Sequence, residues 1–300
     1  MSEFIIPLPD GLSLKGESYL AKEEKASLVL ITGMCEHGKR YKELALYLNT
    51  YGFSVYVVDH FGQGLNAESV DDLQKWPKDA FDMACLALKM KGEELKSVTN
   101  KPVYLFGHSM GSFVSQRTVA LYPSVFDKVI LCGSNGPDTF IATVGSLVAN
   151  LLTTKKNWDK KSKLLTGLVL GQYVAAIKNR KHDNDWLSIN EDNVIVYDND
   201  PYCGATPTYG FFKEFLRGLK KVWKKKYLKN LSKSIQVLII GGECDPVGHN
   251  GKGLIKLDKM YKKYGVNDVT LVIYPNLRHE ILNEKEKQDV YEEILRFLQK

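Results

Sequence analysis

Short unbroken apolar runs alternate along the chain with longer stretches in which apolar residues return every three or four positions. The runs are Ser27–Thr32 (SLVLIT), Phe53–Asp59 (FSVYVVD), Val103–Phe106 (VYLF), Lys128–Cys132 (KVILC), Ile235–Ile240 (IQVLII) and Val269–Tyr274 (VTLVIY). Runs this short and this apolar suit strands buried on both faces. Leu12–Leu20 (LSLKGESYL) mixes polar and apolar residues and predicts an early antiparallel strand, with Pro9–Gly11 as the turn before it. Helical spacing predicts helices over Lys39–Asn49, Lys78–Leu95, Gly111–Leu121 and Lys287–Leu298. Strands alternating with helices define an α/β chain with a mostly parallel central sheet flanked by helices.

One interval breaks this rhythm. Roughly a hundred residues separate KVILC from IQVLII, too many for a loop. They predict an inserted helical cap over residues 138–232, with the core formed by residues 1–137 and 233–300. Two segments of the insertion, Phe140–Leu152 and Leu164–Ile177, are strongly apolar. Two readings stand side by side: they pack on the core or on each other, or their inner face lines an apolar pocket. Farther on, Phe212, Phe215, Leu216, Leu219, Val222 and Trp223 recur at helical spacing and predict a buried face. The adjoining lysine run, Lys220–Lys233 (KKVWKKKYLKNLSK), is read as its solvated side in preference to an anionic-lipid contact.

Composition narrows the function classes. At 44% hydrophobic and 25% charged, with a net charge of +6, the chain is an ordinary globular polypeptide. No stretch approaches the ~20 apolar residues of a membrane span. The opening MSEFIIPLPDG has no basic n-region and no long apolar h-region, so no secretory signal is expected. Cys35, Cys85, Cys132, Cys203 and Cys244 are odd in number, widely spaced and lack a CxxC pair. That pattern favours reduced thiols in a cytoplasm over a disulfide framework or a zinc site. No metal cluster, cofactor motif or nucleic-acid module is expected. Gly62-x-Gly64-x-x-Ala67 loosely matches a dinucleotide fingerprint, but it does not follow the first strand of a βαβ unit and lacks the acidic residue downstream.

The chemistry centres on Gly107-His108-Ser109-Met110-Gly111, which directly follows one predicted strand and opens a helix. A lone G-x-S-x-G is weak, with roughly 0.1 chance matches in a chain of this composition. The strand–turn–helix context makes it a nucleophile elbow, with small flanking residues where a side chain would crowd the turn. A serine needs a base, and the base an orienting acid. In chain order the acid and base should follow the serine on loops after later strands. Asp245, in GGECDPVG after the Ile235–Ile240 run, is the acid, with Asp138 as the alternative; His279, after the last strand, is the base. His249 shares the acid's loop, and His37, His60, His108 and His182 precede the acid. Backbone N–H groups of Met110 and Met34 are the expected oxyanion donors.

At these residues the chain resembles the α/β-hydrolase superfamily, and within it the monoacylglycerol lipase and lysophospholipase group. The resemblance rests on TGMCEHGKRY (Thr32–Tyr41), matching at Gly33, Glu36, His37, Arg40 and Tyr41, and on DHFGQG (Asp59–Gly64). GHSMGS (Gly107–Ser112), DPYCG (Asp200–Gly204), GGECDPVG (Gly241–Gly248) and RHEILNE (Arg278–Glu284) extend it over nearly the whole chain. Thr32 stands where the group usually has His, and Cys35 where it commonly has Gly; the backbone donors are unaffected by either. The resemblance implies a serine hydrolase for small-molecule esters of monoacyl lipids, with peripheral membrane contact through the cap as a further expectation. The rivals are a carboxylesterase or thioesterase for short or aromatic acyl groups, and a non-catalytic binder on the same fold.

Overall fold

Eight strands form one sheet: β1 (Ser2–Pro7), β2 (Ser13–Tyr19), β3 (Ala26–Ile31), β4 (Phe53–Val58), β5 (Val103–His108), β6 (Lys128–Cys132), β7 (Gln236–Gly242) and β8 (Asp268–Tyr274). The computed structural model describes residues 1–300 except Ile141. The spatial order is β1-β2-β4-β3-β5-β6-β7-β8, antiparallel over β1-β2-β4 and parallel from β4 to β8. The apolar runs therefore sit where expected. β1 is an addition, because its exposed, partly polar sequence carries none of the buried-run signal; it forms a hairpin with β2 around the Pro9–Gly11 turn.

Among the described residues eleven α-helices accompany the sheet: α1 (Lys42–Asn49), α2 (Ala80–Thr99), α3 (Met110–Leu121), α4 (Thr139–Leu152), α5 (Lys163–Val169), α6 (Gly171–Ala176), α7 (Glu191–Asn199), α8 (Tyr209–Val222), α9 (Lys225–Leu228), α10 (Lys252–Lys263) and α11 (Lys287–Gln299). Successive strand residues point to opposite faces, so each central strand feeds two cores. Leu28, Leu30, Tyr104 and Phe106 pack with Leu44 and Leu48 of α1 and Ile294 and Phe297 of α11. Val29, Ile31, Val103 and Leu105 pack with Leu88 of α2, Val114 of α3 and Leu257 of α10. Among the described residues, no helix is long and apolar enough to cross a membrane.

Helices α4 to α9 all lie between β6 and β7. Helix α8 buries Phe211, Phe212, Phe215, Leu216 and Val222 in the same core as α2 and α3, which matches the expected apolar face, while Lys224, Lys225, Lys226 and Lys229 are exposed. The apolar segment Leu164–Ile177 is interrupted. It is two short helices, α5 and α6, meeting at Leu170. Gly167 and Gly171 bracket the break, and glycine weakens a helix through its backbone entropy.

Candidate active site

Order reverses between β3 and β5: the chain runs outward from β3 to β4, then returns to the other side of β3 as β5. In parallel α/β sheets the crevice beyond the strand ends at such a point receives ligands. The loop after β3 carries Met34, and the turn after β5 carries Ser109. Both border one cavity of about 330 Å³, together with Met110 and His279.

Ser109 has φ 51° and ψ −119°, a left-handed conformation that a non-glycine residue adopts at a cost of about 1–3 kcal/mol. Its N–H donates to the Cys132 carbonyl at 2.9 Å. The flanking glycines have steric reasons: a Cβ on Gly107 would lie 2.4 Å from the Gly111 carbonyl oxygen, and one on Gly111 would lie 2.4 Å from the Ile31 and Thr32 carbonyl oxygens. Met110 is the first residue of α3, so its N–H has no intrahelical acceptor. On the facing loop, Gly33 N–H donates to Glu36 Oε1 at 2.5 Å and Cys35 N–H donates to Gln63 Oε1 at 2.9 Å. Among the described residues, the Met34 N–H between them has no acceptor.

Asp245 and His279 are brought together by close backbone approach. The loops after β7 and β8 touch where Cys244 N–H donates to the Leu277 carbonyl at 2.8 Å. Gly242 permits this, since a Cβ there would lie 2.1 Å from the Leu277 oxygen. His279 Nδ1 donates to Asp245 Oδ2 at 2.9 Å, both side chains being buried, and Val247 N–H donates to the other carboxylate oxygen at 2.8 Å. This leaves His279 Nε2 buried without a hydrogen-bond partner. Asp138 is elsewhere, 3.4 Å from His249 Nε2.

A buried polar cluster lies behind these groups. Glu36 Oε1 also accepts from Tyr41 Oη at 2.6 Å and faces His108 Nδ1 at 3.3 Å. Arg40 reaches Glu36 Oε2 at 3.5 Å and Glu280 Oε2 at 2.5 Å. Burial opposes the charge on Glu36, but His108, Arg40 and Tyr41 outweigh it and hold the carboxyl at about 2. Burial likewise opposes a charged His108, yet Glu36 raises its pKa. The His108 ring lies 5.0 Å from that of His279, tilted by 45°, and serves as a wall of the site. Gln63 clamps the Met34 loop from beneath, its amide donating to the Gly33 and Glu36 carbonyls. The residues weighed as a dinucleotide fingerprint thus brace a loop.

The helical insertion closes the far side. Tyr197 Oη and Gly204 N–H both donate to the Cys35 carbonyl at 2.9 Å. Trp186 lies over the His279 ring at 5.2 Å and Tyr173 over Trp186 at 5.2 Å. His37, Asp200 and Cys203 bring potential metal-ligand atoms within 4.8 Å of one another, a cluster the sequence spacing did not reveal. His37 and Asp200 already share a 2.8 Å hydrogen bond, and the Arg40 guanidinium donates to Cys203 Sγ, so the cluster is satisfied internally beside a fixed cation. The roles of Gln63, Glu280, Tyr197 and Asn193, whose amide donates to Glu280 Oε2 at 2.7 Å, were not read from the sequence. Glu280 had a signal in its adjacency to His279; Asn193 and Tyr197, far along the chain, had none.

A mostly parallel sheet with its serine on a strained turn after β5 makes this an α/β-hydrolase. Residues 22–286 match the Hydrolase_4 family model, described as serine aminopeptidase, S33, and the chain belongs to that family of serine hydrolases. It is 26% identical to a monoglyceride lipase of Homo sapiens over 264 residues, covering 87% of this chain and 77% of the relative. It is 24% identical to a monoacylglycerol lipase of Mycolicibacterium smegmatis over 276 residues, covering 91% and 87% respectively. Among solved structures it superposes on a thermostable carboxyl esterase from Bacillus coagulans in complex with glycerol, with TM-score 0.90, 26% identity and coverage of 99% and 97%.

Proposed function

We propose that the protein hydrolyses carboxylic esters of monoacyl lipids, a monoacylglycerol or a lysophospholipid, through Ser109, His279 and Asp245. The observation that carries the substrate class is the lining of the cavity at Ser109. Met34, Met110, Phe113, Val169, Trp186 and Phe215 surround it, and its two buried carboxylates, Glu36 and Glu280, are already held by Arg40. Its third, Asp183, is 87% exposed, 3.6 Å from Arg180. An aminopeptidase needs a free anion for the substrate ammonium; an acyl chain needs apolar walls. The relatives' names, monoglyceride and monoacylglycerol lipase, point the same way. Residues 138–232 act as the cap over this cavity, and contact with a lipid surface belongs to the same reading. The cysteines, unpaired among the described residues and buried except for Cys244, fit a reducing cytoplasm.

In this mechanism His279 Nε2 takes the Ser109 proton as Oγ attacks the ester carbonyl. Asp245 holds the Nδ1–H tautomer and stabilises the imidazolium. The Met34 and Met110 N–H groups receive the oxyanion, and loss of one such donor costs ~10²–10³ in rate. His279 then protonates the leaving alcohol, and a water activated by the same nitrogen releases the fatty acid. The test is hydrolysis of p-nitrophenyl esters from acetyl to palmitoyl, alongside monoacylglycerol. Medium- or long-chain preference, lost by about 10⁴-fold or more in Ser109→Ala, is the expected result. Turnover confined to acetyl esters would move the substrate to small esters, and serine-independent turnover would remove the mechanism.

A further inference from the structure

His279 is enclosed between two rings. On one face the His108 ring centre lies 5.0 Å away; on the other the Trp186 indole lies 5.2 Å away, tilted by 37°. Tyr173 of α6 backs Trp186 at 5.2 Å. The two faces are not equivalent. His108 has Glu36 Oε1 at its Nδ1 and the His279 carbonyl 3.5 Å from its Nε2. Burial opposes charge on His108, but Glu36 favours its protonated form. A cation there repels a second positive charge on His279. An indole face, by contrast, is the negative side of a quadrupole and attracts a cation within about 6 Å of its centre.

The backbone sets this stack in place. Arg278 and Glu280 flank His279, and both are bonded to the residues that flank Trp186. Arg278 Nη1 donates to the Asp185 carbonyl at 2.5 Å and to the Ser188 carbonyl at 3.1 Å. Glu280 N–H donates to the Leu187 carbonyl at 2.7 Å. Trp186 itself is buried, in a cluster with Leu187, Tyr197 and Val247. The indole is therefore tied to the same loop as the imidazole it covers, although it comes from the insertion.

We infer that Trp186 is a positioning residue for the hydrolysis: its indole face holds the His279 ring in the plane set by Asp245 and stabilises the imidazolium formed when His279 takes the Ser109 proton. This role rests on the proposed Ser109–His279–Asp245 mechanism. Other charged and titratable groups surround His279. The core supplies Asp245 after β7, His108 ending β5, Cys132 ending β6, Glu36 and Arg40 after β3, and Glu280 beside the imidazole. The insertion supplies Tyr173, Tyr197 and the exposed Asp183. All of them are common to wild type and the variants below, so the difference between proteins reports the ring face.

Trp186→Leu removes that face and keeps apolar cover over His279; Trp186→Phe restores a face. Ring-labelled histidine NMR in a Ser109→Ala background follows the His279 titration without turnover, the signal being the one lost in His279→Gln. The pH dependence of kcat/KM for p-nitrophenyl butyrate reports the same group in the active protein. Trp186→Leu should move the His279 midpoint, and the acid limb with it, down by roughly 0.5–1 pH unit. On the alkaline plateau kcat/KM should fall by the corresponding factor, roughly threefold to tenfold, and Trp186→Phe should recover most of both. Should the leucine variant fail to fold, uniform 5-fluorotryptophan, which weakens the ring face at nearly unchanged shape, should give a smaller downward shift and decides. A midpoint that stays put, or one that rises because water reaches the imidazole, overturns the inference. So does a phenylalanine variant no better than the leucine one. A falling midpoint in a protein whose wild type shows no Ser109-dependent turnover would uphold the stabilised imidazolium and strike the hydrolytic mechanism.

Discussion

Glu36 concentrates the interactions that hold the Met34 loop, since one buried carboxylate joins Gly33, Tyr41, His108 and Arg40. Glu36→Gln should cost about 1–3 kcal/mol of stability, the usual penalty for weakened buried hydrogen bonds, because Arg40 keeps Glu280 as its partner and no buried charge is left alone. Its loss of kcat should stay within the ~10²–10³ attributed to one oxyanion donor, because the loop loosens and the donor is not removed. Urea unfolding and steady-state kinetics on one preparation measure both. His60 makes a different prediction. Burial lowers its pKa from 6.5 to about 4, while its Nε2 donates to the Thr32 carbonyl. The unfolded chain therefore gains a proton below pH 6.5 that the folded protein refuses until about pH 4. The stability contributed by neutral His60 is complete above pH 6.5 and is lost as pH falls toward 4. Between pH 7 and pH 5 the loss is about 2 kcal/mol. His108, raised by Glu36, acts in the opposite sense, so the measurement is the difference in pH slope between wild type and His60→Gln.

Among the elements, the legible ones were those whose burial is two-sided. Val103–Phe106 and Lys128–Cys132 are buried at every position, and an apolar run records that directly. β1 is half exposed and left no such trace; only its pairing with β2 makes it a strand. Around the cavity, the loop positions of Ser109, Asp245 and His279 were readable because each follows a recognisable strand. Gln63 was not, since its work is done by hydrogen bonds to a loop some thirty residues earlier in the chain, which no local pattern encodes. The same element-scale reasoning yields a stability prediction. Gly167 lies inside α5, and a Cβ there meets nothing within 4 Å. Gly167→Ala should raise stability by about 0.5–1 kcal/mol through the unfolded chain's entropy, read as a higher urea midpoint at unchanged m-value.

At the scale of the whole molecule, a second cavity of about 330 Å³, between α4, α5 and α8, meets the one at Ser109 at Val169, which lines both. Val169→Phe should narrow the junction and shift the preferred p-nitrophenyl ester toward shorter acyl chains, with acetyl turnover retained. The insertion itself is attached unevenly. Its later part is bound to the loops that carry Met34 and His279: Tyr197 and Gly204 to Cys35, Ser188 and Asn190 to the buried Glu284, and the Leu187 carbonyl to the N–H of Glu280. Helices α4 to α6 make no such bonds to those loops among the described residues. A chimera that borrows another hydrolase's substrate preference should therefore splice near the ends of α4 and α6 and keep everything from Trp186 onward. Exchanging residues 138–232 as one module would carry off the struts of the Met34 loop with them. The graft boundary falls inside the insertion, so substrate preference should be open to rewriting in its first half while its second half stays with the loops that carry Met34 and His279.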